Sequence, residues 1–303
     1  MIIDSHSHWL PKEIIENAHF YHKGWSDIES QIKMMSKAGI DEAILSYPTS
    51  DAHLKLGGFN KVAKIYNDNV SEILKRYPKK FVGAAILPVG NSKDILDELK
   101  RAMDLGFQAI SLASSYNGIY LDEGMFLPIY KKAQEDNIPI FVHSQILNPI
   151  GSERVQDPLL TPVIEYVFDT TICIGRLLMS GILRDYAKVK FIFAYFGGVI
   201  PFLQHRFDAT YEMLRGLNMV KDLKGNPTQF LKQIYVDTSG DKTLPNFLAA
   251  LDLLGPEHIL WGSDYPAKKD IPSSIQAVKD LNISEEDKEN ILGGNLERIL
   301  KGA

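Results

Sequence analysis

The sequence predicts a (β/α)8 barrel, for three reasons. Eight apolar runs of strand length alternate with longer segments of helical period. The runs are continuously apolar rather than alternating, as parallel strands covered on both faces must be. The chain has 303 residues and 45% hydrophobic content, enough for one large core, and no Pro/Ser-rich linker, composition shift or internal repeat divides it. Residues 1–303 are therefore read as a single domain with long connections over the C-terminal mouth of the barrel.

The predicted strands are Ile2–His8, Glu42–Ser46, Phe81–Leu87, Phe107–Ala113, Pro139–His143, Lys190–Tyr195, Ile234–Thr238 and Ile259–Gly262. Each owes its prediction to β-branched, aromatic or small apolar residues bounded by polar or turn-forming ones. Between them, apolar residues at helical spacing predict helices over Ile28–Ala38, Lys61–Arg76, Ser92–Asp104, Met125–Glu135, Ile164–Leu183, Ile200–Leu214 and Pro245–Leu254. A last helical segment opens on the capping pattern Ser284-Glu285-Glu286-Asp287 and runs to Leu300. Four connections are long: Trp9–Trp25, Tyr47–Gly58 with His53, Ser114–Glu123 with Tyr116 and Tyr120, and Gln145–Pro162. Loops of this length in a compact domain are more often pocket covers than idle surface.

Composition narrows the function. A net charge of −5 with no Lys/Arg-rich run gives no attraction to phosphate backbones or anionic lipid, so neither nucleic acid nor a membrane is expected as partner. No basic segment leads into a long apolar one near Met1, which points to the cytoplasm. Cys173 is the single cysteine, so thiolate metal clusters are excluded and any metal falls to His and carboxylate ligands.

Four segments close predicted strands: His6-Ser7-His8, Phe141-Val142-His143, Ala194-Tyr195-Phe196-Gly197-Gly198 and Gly262-Ser263-Asp264-Tyr265-Pro266. His6 and His8 stand two apart, so the pleat turns both imidazoles to one face. Alone the pair says little in a chain with 8 histidines. Alone, too, His143 reads as a hydrogen-bonded core residue and Asp264 as a turn former. Together they read differently, because the fifth strand lies across a closed barrel from the first and the eighth beside it. All four side chains then converge on one mouth, as a site of three imidazoles and a carboxylate suited to zinc with room for water.

These residues resemble the amidohydrolase superfamily, specifically its family 2 branch of aminocarboxymuconate semialdehyde decarboxylase-like enzymes, along nearly the whole chain. Ile3-Asp4-Ser5-His6-Ser7-His8 is similar to the opening I-D-x-H-x-H, and Trp261 to Pro266 to the closing G-S-D-x-P. Ile138 to His143 resembles the fifth strand, Phe196 to Phe202 with Arg206 the H-x-G-G-x-x-P-F segment, and Asn295 to Arg298 the late N-A-x-R. The resemblance implies one divalent ion, usually zinc, bound by His6, His8, His143 and Asp264, with Asp264 also moving a proton. Phe107–Ala113 lacks the lysine that binuclear relatives carbamylate, which favours one metal over two. Hydrolysis of a small, carboxylate-bearing substrate by a metal-activated water is the expected reaction. Non-oxidative decarboxylation is the alternative.

The pattern breaks at Tyr195, where relatives place a proton-transferring histidine. A phenol with an ordinary pKa about 10 is a poor base at neutral pH. Three readings follow: Tyr195 donates a hydrogen bond to the substrate, or it only packs while Asp264 or a loop histidine such as His53 moves protons, or catalysis is lost and the barrel merely binds a metal or ligand. Arg206 matches an arginine that grips substrate carboxylate in decarboxylating relatives, in some across a subunit interface, which for this chain means a homodimer. Asp4 is read as support for one of the histidines. Trp9, Tyr116 and Tyr120 are candidates to line a pocket for a flat substrate. His205 is read as a helix-surface residue, and His19, His22 and His258 as surface.

Overall fold

The computed structural model describes the chain except residues 19, 20, 49–55, 91, 117, 147, 148, 152–156, 158 and 303. Eight strands form the barrel: β1 (Ile3–His8), β2 (Glu42–Ser46), β3 (Phe81–Ile86), β4 (Ala109–Ala113), β5 (Ile140–His143), β6 (Phe191–Phe193), β7 (Tyr235–Asp237) and β8 (Ile259–Leu260). They pair in parallel in chain order. The ring closes where β8 returns to β1: Ser5 N donates to Trp261 O at 3.0 Å and Asp264 N to His6 O at 2.8 Å. Gly262 permits that closure, since a Cβ there would lie 2.5 Å from the His6 Cβ.

Helices pack outside: α1 (Lys12–Asn17), α2 (Ile28–Ala38), α3 (Phe59–Arg76), α4 (Ser92–Asp104), α5 (Leu127–Asp136), α6 (Tyr166–Met179), α7 (Gln204–Gly216), α8 (Leu244–Leu254), α9 (Ile271–Lys279), α10 (Glu285–Glu289) and α11 (Asn295–Lys301). Local chemistry sets their ends. Asp27 accepts from Ser30 N at 3.0 Å to start α2, and left-handed Gly39 ends it. Ser284 caps α10 through Asp287 N at 3.1 Å, as its Ser-x-x-Asp pattern predicts. The helix expected over Ile164–Leu183 is instead a π turn at Thr161–Glu165 followed by α6, and Gly181 at φ +86° breaks it.

Two apolar clusters hold the layers together. Ile3, Ile44, Val82, Ala84, Ala109, Phe141, Ile192 and Leu260 fill the barrel interior, with Leu296 and Ile299 of α11 against them. A larger cluster joins the strands to the helix ring, and includes the fully buried Trp261, whose Nε1 donates to Ser274 Oγ at 3.2 Å. Polar residues therefore concentrate at the other end of the strands. Among the described residues no helix is long and apolar enough to cross a membrane.

Candidate active site

The C-terminal ends of β1, β5, β6, β7 and β8 build the mouth. The backbone there is unusual: Tyr195, Phe196, Ser239 and Asp264 have φ of 57°, 54°, 43° and 59°. Non-glycine residues enter this left-handed region at a cost of roughly 1–3 kcal/mol each and cluster at functional sites. The turn at Tyr195 also explains why β6 stops at Phe193, short of its expected end.

His6, His8, His143 and Asp264 are all buried, and one ligand atom from each lies within 4.8 Å of the others. The imidazoles are oriented by what their Nδ1 atoms touch. His6 Nδ1 is 2.9 Å from Asp237 Oδ2, His8 Nδ1 is 3.1 Å from Ser46 O, and His143 Nδ1 is 2.9 Å from Ser144 O. An acceptor at each Nδ1 leaves Nε2 to face the centre, the arrangement in which neutral imidazoles ligate a metal. His6 Nε2 and His8 Nε2 approach to 3.0 Å, and Asp264 Oδ1 lies 3.6 and 3.5 Å from them. The donor set fits one divalent ion.

Electrostatics follow from burial and proximity. Burial opposes charge on His6, yet Asp237 overrides it and lifts its pKa to about 9. Burial lowers His8, and burial with the neighbouring imidazoles takes His143 down to about 3. Asp264 resists its burial: the His8 hydrogen bond and the charges of His6 and His8 hold it below the usual carboxylate range. Tyr195 Oη is 3.3 Å from His143 Nε2, and burial pushes the phenol well above its ordinary pKa. Ser239 Oγ accepts from Tyr195 N at 2.9 Å and donates to Asp237 Oδ1 at 2.6 Å, tying β6 and β7 together under the site.

Above the donors opens a cavity of about 550 Å³. Trp25 stacks on His8 at 5.8 Å and packs against Tyr21, and Tyr166, Phe196 and Val199 complete an apolar wall. That volume and lining suit a small flat ligand. The aromatic residues differ from those expected. Tyr116 is buried with its Oη accepting from Ala113 N at 2.9 Å, Tyr120 lies over Arg176, and neither lines the cavity, nor does Trp9. Among the described residues Asp4 makes no hydrogen bond to an imidazole ring; it accepts from His6 N at 3.1 Å and Ser263 N at 2.8 Å, clipping β1 to β8. Asp237 takes the supporting role, and its place at the end of a barrel strand was the available signal.

Arg206 is exposed on α7 and is not among the residues that line the cavity. His205 is exposed on the same helix, as expected. His22 accepts from Gly24 N at 3.1 Å, while His258 is partly buried, 2.8 Å from Ile234 O and stacked on Tyr235, not a surface residue. His53 and His19 lie outside the described residues.

Residues 3–302 match the sequence profile of a family described as amidohydrolase. A 2-amino-3-carboxymuconate-6-semialdehyde decarboxylase from Dictyostelium discoideum is 27% identical over 243 residues, 77% of this chain and 65% of that protein, so the match spans just under two thirds of that relative. A gamma-resorcylate decarboxylase from Polaromonas sp. (strain JS666) is 25% identical over 301 residues, 92% of this chain and 91% of the relative. Among solved structures, a dihydroxybenzoic acid decarboxylase from Polaromonas sp. JS666, with bound manganese and the inhibitor 2-nitroresorcinol, has a TM-score of 0.82 at 21% identity, covering 99% of this chain and 96% of that one.

Proposed function

The chain belongs to the amidohydrolase family, and on that premise we propose that it is a metal-dependent carboxy-lyase, releasing CO2 without oxidation from a small, flat carboxylic acid. The observation that carries this reading is the aromatic-walled cavity directly over the metal-binding cluster, with Trp25 stacked on His8. The decarboxylase relatives support it. Hydrolysis, the reaction expected first, would use the same cluster with Asp264 taking the water's proton, and the phenol that burial keeps protonated at strand six serves as base for neither reaction.

A divalent ion held by His6, His8, His143 and Asp264 would draw the substrate's carboxylate and an adjacent oxygen and stabilise the electron density that decarboxylation leaves behind. The substrate fitting this site carries a hydroxyl beside its carboxylate, and Asp264, which is ionised, takes that hydroxyl's proton, which a bound divalent ion would make acidic enough for so weak a base. Asp264 then returns that proton to carbon: the C–CO2 bond breaks, its electron pair stays on the ring carbon, a C–H bond forms, and CO2 leaves. Atoms and charge balance with no oxidant. Tyr195 donates its hydroxyl hydrogen to a substrate oxygen, which steadies the developing charge. The walls formed by Trp25, Tyr21 and Tyr166 hold the ring flat and exclude water.

Three imidazoles and one carboxylate favour zinc over manganese in affinity, while the solved Polaromonas relative carries manganese, so both ions belong in the assay. Arg206 acts in a homodimer, reaching the mouth of a second copy. The exposed Phe202 beside it, on the cavity rim, gives that contact an apolar start.

The test is direct. Metal-replete protein is supplied with 2,6-dihydroxybenzoate and related phenolic acids, and CO2 is measured alongside hydrolysis of lactones and amides. CO2 release with no hydrolysis is expected. Hydrolysis without CO2 overturns the reading, and no turnover at full metal occupancy favours a non-catalytic barrel.

A further inference from the structure

Lys268 lines the cavity, and among the described residues it is the only lysine or arginine that does. Its position is built rather than accidental. Four residues after Asp264, its N–H donates to Asp264 O at 2.9 Å, closing a tight turn. Its Nζ donates to Ser239 O at 2.6 Å, on the same residue whose hydroxyl bonds Asp237 behind His6. An ammonium has three donors, and this carbonyl takes one. Lys268 enters no ion pair among the described residues. The nearby wall carboxylate, Asp241, is engaged by Thr243 N at 2.8 Å and Asn246 Nδ2 at 2.7 Å.

Lys268 is exposed at the cavity mouth with donors to spare, and the carboxylate its charge acts on, Asp264, belongs to the metal-binding cluster, so the ammonium is free to meet an anionic group of the ligand. We propose that Lys268 binds a second anionic group of the substrate, apart from the carboxylate at the metal-binding cluster, so that the preferred substrates are flat diacids. The proposal rests on the decarboxylase reading for the kind of molecule and on Lys268 for the second charge. Reaching from the rim, the flexible lysine stem would set the ring's orientation between two charged anchors, with the aromatic walls on its faces.

Two acids that differ by one carboxylate, 4-hydroxyisophthalate and salicylate, provide the probe. Their binding to metal-loaded wild type, Lys268→Gln and Lys268→Arg is measured by calorimetry. Glutamine keeps a neutral donor for the Ser239 carbonyl, and arginine keeps the charge. Wild type is expected to favour the diacid by about tenfold, the worth of one charge-assisted hydrogen bond in a half-open site. Lys268→Gln should bind both acids within about twofold of each other, with salicylate affinity and metal content unchanged, while Lys268→Arg retains most of the preference. The proposal is overturned by a preference that survives in Lys268→Gln, by a wild type that binds neither acid or binds them equally, or by equal loss of both acids in the variant, which would make Lys268 only a clamp on Ser239. A separate CO2 measurement keeps the two readings apart. Diacid preference without CO2 removes the decarboxylase reading and leaves Lys268, whereas CO2 release without diacid preference does the reverse.

Discussion

Tyr195 carries the sharpest consequence of any single residue, because its phenol stands beside His143 Nε2 and stays protonated at neutral pH. Replacing it with phenylalanine keeps the ring and removes the donor. The expected result is a loss of kcat equivalent to roughly 2–4 kcal/mol with metal content unchanged; a full kcat on a confirmed substrate would make Tyr195 a packing residue beside chemistry run by Asp264. His6 makes a different prediction. Without metal, Asp237 holds its proton, with a pKa raised from 6.5 to about 9. That raised pKa stabilises the metal-free fold fully below pH 6.5, and the contribution is lost as pH rises through about 9. Ligation needs neutral His6, so metal uptake near pH 7.5 should release close to one proton, read by calorimetry in buffers of different ionisation enthalpy. Asp237→Asn removes the group that holds the proton. Release should then fall toward zero and metal affinity should drop about 10–100-fold; unchanged release and affinity would separate Asp237 from the site.

At the scale of elements, the segment Ala194–Gly198 turns β6 into the mouth through two glycines at positive φ, of which Gly198 is the more tightly enclosed. Gly198 sits at φ +71°, and a Cβ there would lie 2.5 Å from Val167 O and 2.2 Å from Thr171 Oγ1 of α6. Gly198→Ala should therefore destabilise the protein by on the order of 3 kcal/mol, seen as a lower Tm, while Gly90, whose Cβ would meet nothing within 4 Å, should tolerate alanine. A Gly198→Ala variant with native Tm would show that the turn relaxes freely. The same segment marks where sequence reading stops. Strands such as β2 were legible to the residue because apolar runs and flanking polar residues agree, and the cluster of His6, His8, His143 and Asp264 was legible because a closed barrel brings the first, fifth and eighth strands to one mouth and the family resemblance singles out the same four residues. Tyr195 and Phe196 extend an apolar run, and nothing local says that their backbone turns left-handed. Asp237 and Lys268 gain their roles from β1 and Ser239, partners distant in sequence. The cavity wall came from Trp25 and Tyr166 rather than Trp9 and Tyr116 because loop folding, not aromatic content, decides which rings face the mouth. Helix α9 went unread, since Pro272 and paired serines mask a short apolar stripe.

For the whole molecule, the question is what completes the rim. Phe202 is 68% exposed and Val163 66%, both on the cavity wall, and Arg206 follows Phe202 by four residues. A single copy thus leaves apolar surface and the exposed Arg206 beside a cavity whose wall that arginine does not form. Under the proposed homodimer, each Arg206 serves the other chain's cavity, which a twofold axis allows for both sites at once. Light scattering should then report a dimer, held by an interface of roughly 1,200–2,000 Å² or more. Arg206→Ala and His143→Ala should each be nearly inactive alone. Mixed and allowed to exchange subunits, they form heterodimers in which one site has both its metal ligands and an arginine from the partner. Half of the dimers then carry one good site of two, so activity should return to about a quarter of wild type. Arg206 acting within its own chain predicts no recovery, because neither chain alone holds a complete set. A fully active monomer, or an Arg206→Ala protein with wild-type KM, removes the arginine from the site and leaves Lys268 as the lysine or arginine that the cavity wall itself presents.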